Sequence, residues 1–239
     1  MTDQHPANST DRPAADEHPA YGEELVVLLD DAGQATGTMP KALVHTDRTP
    51  LHLAFSLYAF DDDGRFLLTR RALDKATFPG VWTNTVCGHP APGEDLTSAA
   101  ARRVRTELGM TLINPRIVLP QFRYRAQMGG IVEHEICPVL IGQVCGPGQP
   151  DPAEVADLEW VAWEPFARAV RDGRRPVSVW CAEQVAQLTA LGPDPHQWPT
   201  TDPALLPPAL RTPPAEPPNN GASPATNRPD DRPRAVPGT

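Results

Sequence analysis

The sequence predicts an α/β domain, a mixed β-sheet sandwiched by helices, set between disordered Pro-rich tails. Three observations predict it. Short apolar runs bounded by turn residues lie both before and after one Ala-rich helical segment, and two further helical segments follow them. Aperiodic stretches bracket the pattern, placing a tail over 1–22, one domain over 23–191 and a second tail over 192–239.

Composition narrows the functional classes. A chain of 239 residues with 40% apolar content suits one sizeable domain, and a net charge of −9 argues against nucleic-acid binding. No stretch has the apolar length of a membrane span and the N-terminus lacks a hydrophobic signal region, so the expected compartment is the cytoplasm. Cys87, Cys137, Cys145 and Cys181 form no C-x-x-C pair and read as free thiols.

Taken in order, Glu24 to Leu29 is a short strand, Asp30-Asp31-Ala32-Gly33 a turn, and a second extended piece completes a hairpin. Leu53 to Phe60 is a buried strand, Asp61 to Gly64 a hairpin turn and Arg65 to Arg70 its partner. Arg116 to Ala126 reads as strand, Gly129-Gly130 as turn, and Ile131 to Val144 as one long strand in which Pro138 marks an edge or bulge. A strand over Asp157 to Trp163 precedes helices over Pro165 to Arg171 and Ser178 to Leu191. Trp82 and Trp163 are expected to fill the core.

Between these halves lies Asn84 to Met110, NTVCGHPAPGEDLTSAAARRVRTELGM. Its glycines and prolines forbid regular structure up to Asp95 and Thr97, which start a helix that Gly109 stops. Ala100, Val104 and Leu108 share the packing face, while Arg102, Arg103, Arg105 and Thr106 are expected to look outward. The spacing Gly88-x5-Glu94-x7-Arg102 and the ending Glu107-Leu108-Gly109 resemble the Nudix box, which grips a metal-bound diphosphate. Arg103 and Thr106 stand where hydrolases of that family carry carboxylates. With Glu107 as the main survivor, the chain reads as a diphosphate binder that has lost hydrolysis.

Glu133 and Glu135 lie two apart in a strand and so share a face, as do Cys87 and His89 if their segment is extended. Two adjacent anions in an apolar core would be costly, so they face solvent or a cation, and alone they read as solvent-facing. With His45, His52 and His89 they make a mixed N/O set suited to Zn²⁺ or Mn²⁺, provided they converge.

The segments LHLAFS, TRRAL, FPGVWTN-TVCGHP, ELG, FRYRA and IVEHEICPV, spread over Leu25 to Leu191, resemble type I isopentenyl-diphosphate isomerases, a branch of the Nudix fold. The resemblance implies that His45, His52, His89, Glu133 and Glu135 hold one Mn²⁺ or Zn²⁺. It also implies Mg²⁺ on the diphosphate of a prenyl substrate, met by Glu107 and the Cys87 carbonyl. Lys41, Arg71 and Lys75 match its diphosphate contacts, with Arg70 a further addition, and Trp180 the aromatic face that shields a carbocation. Cys87 and Glu135 match its proton-transfer pair, Glu135 as acid assisted by Tyr124 and Cys87 as base. The family usually has proline where this chain has Val179. A Nudix-type diphosphate hydrolase and a noncatalytic diphosphate binder are the alternative readings.

Overall fold

The computed structural model describes residues 24–211. The expected N-terminal tail and the last part of the C-terminal one lie outside these residues. Among the described residues no helix is long and apolar enough to cross a membrane. All four cysteines are free thiols.

The chain runs β1 (Leu25–Leu29), β2 (Ala35–Pro40), α1 (Lys41–Val44), β3 (His52–Leu53), β4 (Phe55–Phe60), β5 (Arg65–Arg71), β6 (Trp82–Thr83) and β7 (Val86–Gly88). It continues with α2 (Leu96–Leu108), β8 (Thr111–Leu119), β9 (Arg123–Met128), β10 (Ile131–Ile136), β11 (Val139–Cys145), β12 (Val155–Ala162), α3 (Trp163–Arg171) and α4 (Val179–Ala190). Two sheets result, in the orders β2-β1-β3-β10-β9 and β12-β5-β4-β11-β8, with β6 and β7 added on β5 and β4.

The two long apolar runs, each expected to be one strand, pass from the first sheet to the second. The run over 52–60 breaks at Ala54, and the run over 131–145 breaks at Cys137-Pro138. The two stay paired in parallel on both sides of the crossing, Glu135 opposite His52 and Val139 opposite Ser56. Across the break Ala54 N–H donates to the Ile136 carbonyl at 3.0 Å and Ser56 N–H to the Pro138 carbonyl at 3.1 Å. Pro138 therefore marks a change of sheet in the interior, where its missing N–H does no harm.

Every residue of β4 is buried because both of its faces are covered. Phe55, Leu57 and Ala59 pack with Leu96, Ala100, Val104 and Leu108 of α2. Tyr58 and Phe60 pack with Trp163, Phe166, Val185 and Leu188 of α3 and α4. The second sheet is thus the sandwiched one.

Helix α2 starts where Asp95 accepts from the Thr97 and Ser98 amides at 3.0 and 2.9 Å, and stops at Gly109, whose φ of 63° is left-handed. Arg105 and Thr106 are exposed as expected, but Arg103 is only 8% exposed and lies on the packing face with Glu107. Trp163 is buried as expected, whereas Trp82 is half-buried under the Arg175 guanidinium, 4.9 Å from its ring centre.

Residues 192–211, expected as tail, are packed. They form short 3-10 turns, bury Trp198 at 2% exposure and Leu206, and receive Arg116 hydrogen bonds at the Pro195 and His196 carbonyls of 2.7 and 3.1 Å. Proline and alanine here make contacts without periodicity, which is why no apolar pattern announces them.

Candidate active site

One cavity of about 610 Å³ opens between the two sheets and α2, its wall including Glu133 and Glu135 of β10, Cys87 of β7 and Arg103 and Glu107 of α2. Glu133 and Glu135, on one face of β10, point into this region and are each 5% exposed. The solvent-facing alternative for this pair is excluded.

His45 ends α1, His52 begins β3 and His89 follows β7. One ligand atom from each of these histidines and one from Glu135 lie within 4.8 Å of one another. Glu135 Oε1 is 3.4 Å from both His52 Nε2 and His89 Nε2. The buried atoms His45 Nε2, His52 Nε2, His89 Nδ1 and His89 Nε2 have no hydrogen-bond partner among the described residues. Buried polar atoms without partners are rare, and three imidazoles that present them beside a carboxylate fit a divalent cation.

The contacts behind these rings also fit. His52 Nδ1 is 2.9 Å from the Pro50 carbonyl, which fixes the proton on Nδ1 and leaves Nε2 a free lone pair. Burial and the two neighbouring imidazoles lower the His45 pKa to about 4, so it is neutral and can ligate. Burial also lowers His89. For His52 burial acts downward, but the Glu135 carboxylate outweighs it and the net shift is upward. Glu133 stands beside this group of four, its Oε2 accepting the Tyr124 hydroxyl at 2.7 Å. Burial and the Glu135 charge raise its pKa, whereas His52 and His89 hold Glu135 well below the usual range against the effect of burial.

Cys87 lies in β7 on the cavity wall, its Sγ 3.3 Å from Asn84 Oδ1 and 3.5 Å from Ser56 Oγ. Burial pushes its thiol up to about 11. Trp180 also lines the cavity at 1% exposure, wedged between Tyr124 and Phe78 at centroid distances of 5.4 and 5.0 Å. Val179 in place of proline leaves it buried there.

The expected anion contacts form the other part of the wall. Lys41, Arg71 and Lys75 line the cavity, and each is held. Lys41 Nζ is 2.9 Å from Glu24, Lys75 pairs with Glu154, and the Arg71 guanidinium donates to the Thr77 carbonyl and hydroxyl at 2.9 and 2.8 Å. Arg70 lies outside this wall and donates to the Gly80 carbonyl at 2.9 Å. Glu107 is in the wall, with burial raising its pKa against the opposing pull of Arg103.

Sequence reasoning missed Glu154 and Asn84, and it placed outward an Arg103 that is buried. Arg103 Nε is 2.7 Å from Glu107 and its guanidinium 3.4 Å from Glu154, so a cation occupies space that carboxylates would need for activating water. The i,i+4 spacing of Arg103 and Glu107 carried that signal. No local pattern pointed to Glu154, which comes from the loop before β12.

Known proteins resemble this chain in sequence and in fold. The family model for the NUDIX domain matches residues 50–181. An isopentenyl-diphosphate Delta-isomerase of Mycolicibacterium vanbaalenii is 58% identical over 170 residues, 71% of this chain and 93% of the relative. One of Saccharopolyspora erythraea is 52% identical over 187 residues, 78% and 96%. A crystal structure from Deinococcus radiodurans shares the fold at a TM-score of 0.52 and 18% identity, covering 69% of this chain and 98% of that one.

Proposed function

The chain belongs to the Nudix family and, within it, to the isopentenyl-diphosphate Delta-isomerases, and from that premise we propose that it interconverts isopentenyl and dimethylallyl diphosphate. The observation that carries this reading is one cavity holding Cys87, Glu135 and the buried face of Trp180 beside a wall of cations.

The reaction moves a double bond. A proton added to the terminal alkene carbon uses the π electrons to form a C–H bond and leaves a tertiary carbocation. Loss of a proton from the carbon two bonds away returns its C–H electrons as the new double bond. Cys87 and Glu135 are the proton-transfer pair, and each is acid in one direction and base in the other, as microscopic reversibility requires. In the direction that forms dimethylallyl diphosphate, Glu135 acts as the acid and Cys87 as the base.

The Trp180 ring offers the cation a π face with no nucleophile, and the buried setting excludes water that would trap it. Lys41, Arg71 and Lys75 anchor the diphosphate, since charge rather than five carbons supplies most of the affinity. His45, His52, His89, Glu133 and Glu135 would hold one Mn²⁺ or Zn²⁺, and Glu107 with the Cys87 carbonyl would hold Mg²⁺ on the diphosphate. Bound divalent charge would fix the carboxylates and neutralise the phosphates. Four free thiols fit a reducing cytoplasm.

The test is proton NMR of isopentenyl diphosphate with the purified chain and Mg²⁺ in D₂O. Dimethylallyl diphosphate carrying deuterium is the expected product. Unchanged substrate, or released phosphate, from folded and metal-loaded protein would overturn the reading.

A further inference from the structure

Asn84 is fully buried at the start of the cavity wall, and every polar atom of its side chain is engaged. Its Nδ2 donates to the Val86 carbonyl at 2.9 Å and to the Leu57 carbonyl at 3.2 Å, and these two residues face each other across the β4–β7 pair. Two carbonyl acceptors fix which way the amide faces. Its Oδ1 is therefore the atom turned toward three donors: Thr83 Oγ1 at 2.9 Å, Trp180 Nε1 at 3.0 Å and Cys87 Sγ at 3.3 Å.

Trp180 and Cys87 come from different layers, the first from α4 and the second from β7. The start of α4 is registered to β6 by Ser178, whose N–H donates to the Trp82 carbonyl at 2.8 Å and whose Oγ is 2.8 Å from Thr83 Oγ1. These bonds place the helix, Phe78 and Tyr124 pack against the indole ring, and the amide oxygen holds its N–H edge. Through the same atom it holds the thiol.

We infer that Asn84 is a positioning residue that sets the Cys87 thiol and the Trp180 ring against each other across the substrate, acting through one carbonyl oxygen. The inference rests on the proposed function, in which proton transfer occurs beside a carbocation that the ring must already face. Misplacing either group by a fraction of a bond length lowers the chemical step without loosening the diphosphate, whose contacts on Lys41, Arg71 and Lys75 do not involve Asn84.

The test measures kcat and KM for isopentenyl diphosphate, per folded molecule, in Asn84→Ala and Asn84→Asp. Asn84→Asp keeps the volume and the Oδ1 acceptor, and as the protonated acid it can still donate to the Val86 carbonyl, so it is the variant to read where the alanine variant does not fold. We expect kcat to fall about a hundredfold for alanine and less for aspartate, with KM within about twofold of the unaltered chain. In a Trp180→Phe background, where the indole donor is gone, Asn84→Ala should cost less than it does alone. A merely structural role would change the folded fraction and leave this split and this coupling unmoved. A folded Asn84 variant with kcat within about twofold of the unaltered chain overturns the inference. An unaltered chain that makes no deuterated product sinks the proposed function and this inference with it, whereas active variants beside an active unaltered chain sink the inference alone.

Discussion

Tyr124 lies opposite Glu135 in the β9–β10 register, yet its hydroxyl donates to Glu133, at 2.7 Å. The family resemblance implies that Tyr124 assists Glu135; its hydroxyl hydrogen-bonds the carboxylate one step along the same face. Glu133 is 5% exposed, so the phenol is a main compensation for burying that carboxylate. Tyr124→Phe should therefore destabilise the fold by about 1–3 kcal/mol. It should also weaken the His/Glu metal site about tenfold, as loss of an outer-shell partner does. Calorimetric unfolding and metal titration check both, and unchanged values in the two would show that Glu133 needs no donor.

Cys87→Ala isolates the chemistry from the architecture. Among the described residues the Sγ hydrogen bonds go to the Asn84 and Ser56 side chains, and the thiol is not one of the four converging ligands. Metal content by elemental analysis should stay at the level of the unaltered chain while kcat falls about 10²–10⁴-fold, the range for a positioned proton donor or acceptor. Residual turnover above a tenth of the original would remove Cys87 from the mechanism.

How much of this was legible in the sequence depends on the range of the signal. Asp95 and Gly109 bounded α2 correctly because capping is local, decided within one turn. The i,i+2 spacings put Glu133 with Glu135 on one face for the same reason. The passage of both long runs between sheets was hidden, since Leu53, Phe55 and their neighbours are apolar on either side of Ala54 and periodicity does not record which sheet a strand joins. Arg103 was placed outward because charge on a helix usually is; its burial depends on Glu107 and Glu154 together, and the second of these arrives from a distant loop. Convergence of His45, His52 and His89 came only through family resemblance, because their meeting point is set by the sheet crossing.

Asp95 gives a pH-dependent test. Hydrogen bonds from Ser98 and Thr97 lower its pKa from 3.8 to about 2. A folded-state pKa below the unfolded one means that the carboxylate contributes stability above pH 3.8 and loses it as pH falls through about 2. The group is exposed, so the capping value of about 1 kcal/mol is the expected size rather than the larger figure that the shift alone would give. Asp95→Ala should lower stability by that amount at neutral pH. The gap between variant and unaltered chain should close as pH drops from about 4 to 2, followed by urea unfolding. A gap constant across that window would assign the loss to something other than the charged cap.

Truncation tests how much the packed residues 192–211 contribute. Trp198 meets Trp163 at a centroid distance of 5.2 Å, and its indole N–H donates to the Gly192 carbonyl at 2.8 Å. Farther on, Ala209 N–H donates to the Gly33 carbonyl at 3.0 Å, and Ala209 and Leu210 lie against Val27, Leu29 and Leu53. Ending the chain after Leu205 removes the second set of contacts and should cost about 1.5–3 kcal/mol, the value of one well-buried leucine. Ending it after Leu191 also removes Trp198 and should cost at least about 3–5 kcal/mol more. The effect should reach the site, because β1 pairs with β3 through Leu28 and His52, so loosening the face beneath β1 frees a metal-site histidine. Metal affinity should follow thermal stability down the series, and a shortest form that melts with the longest would show that residues 192–211 only lie on the surface.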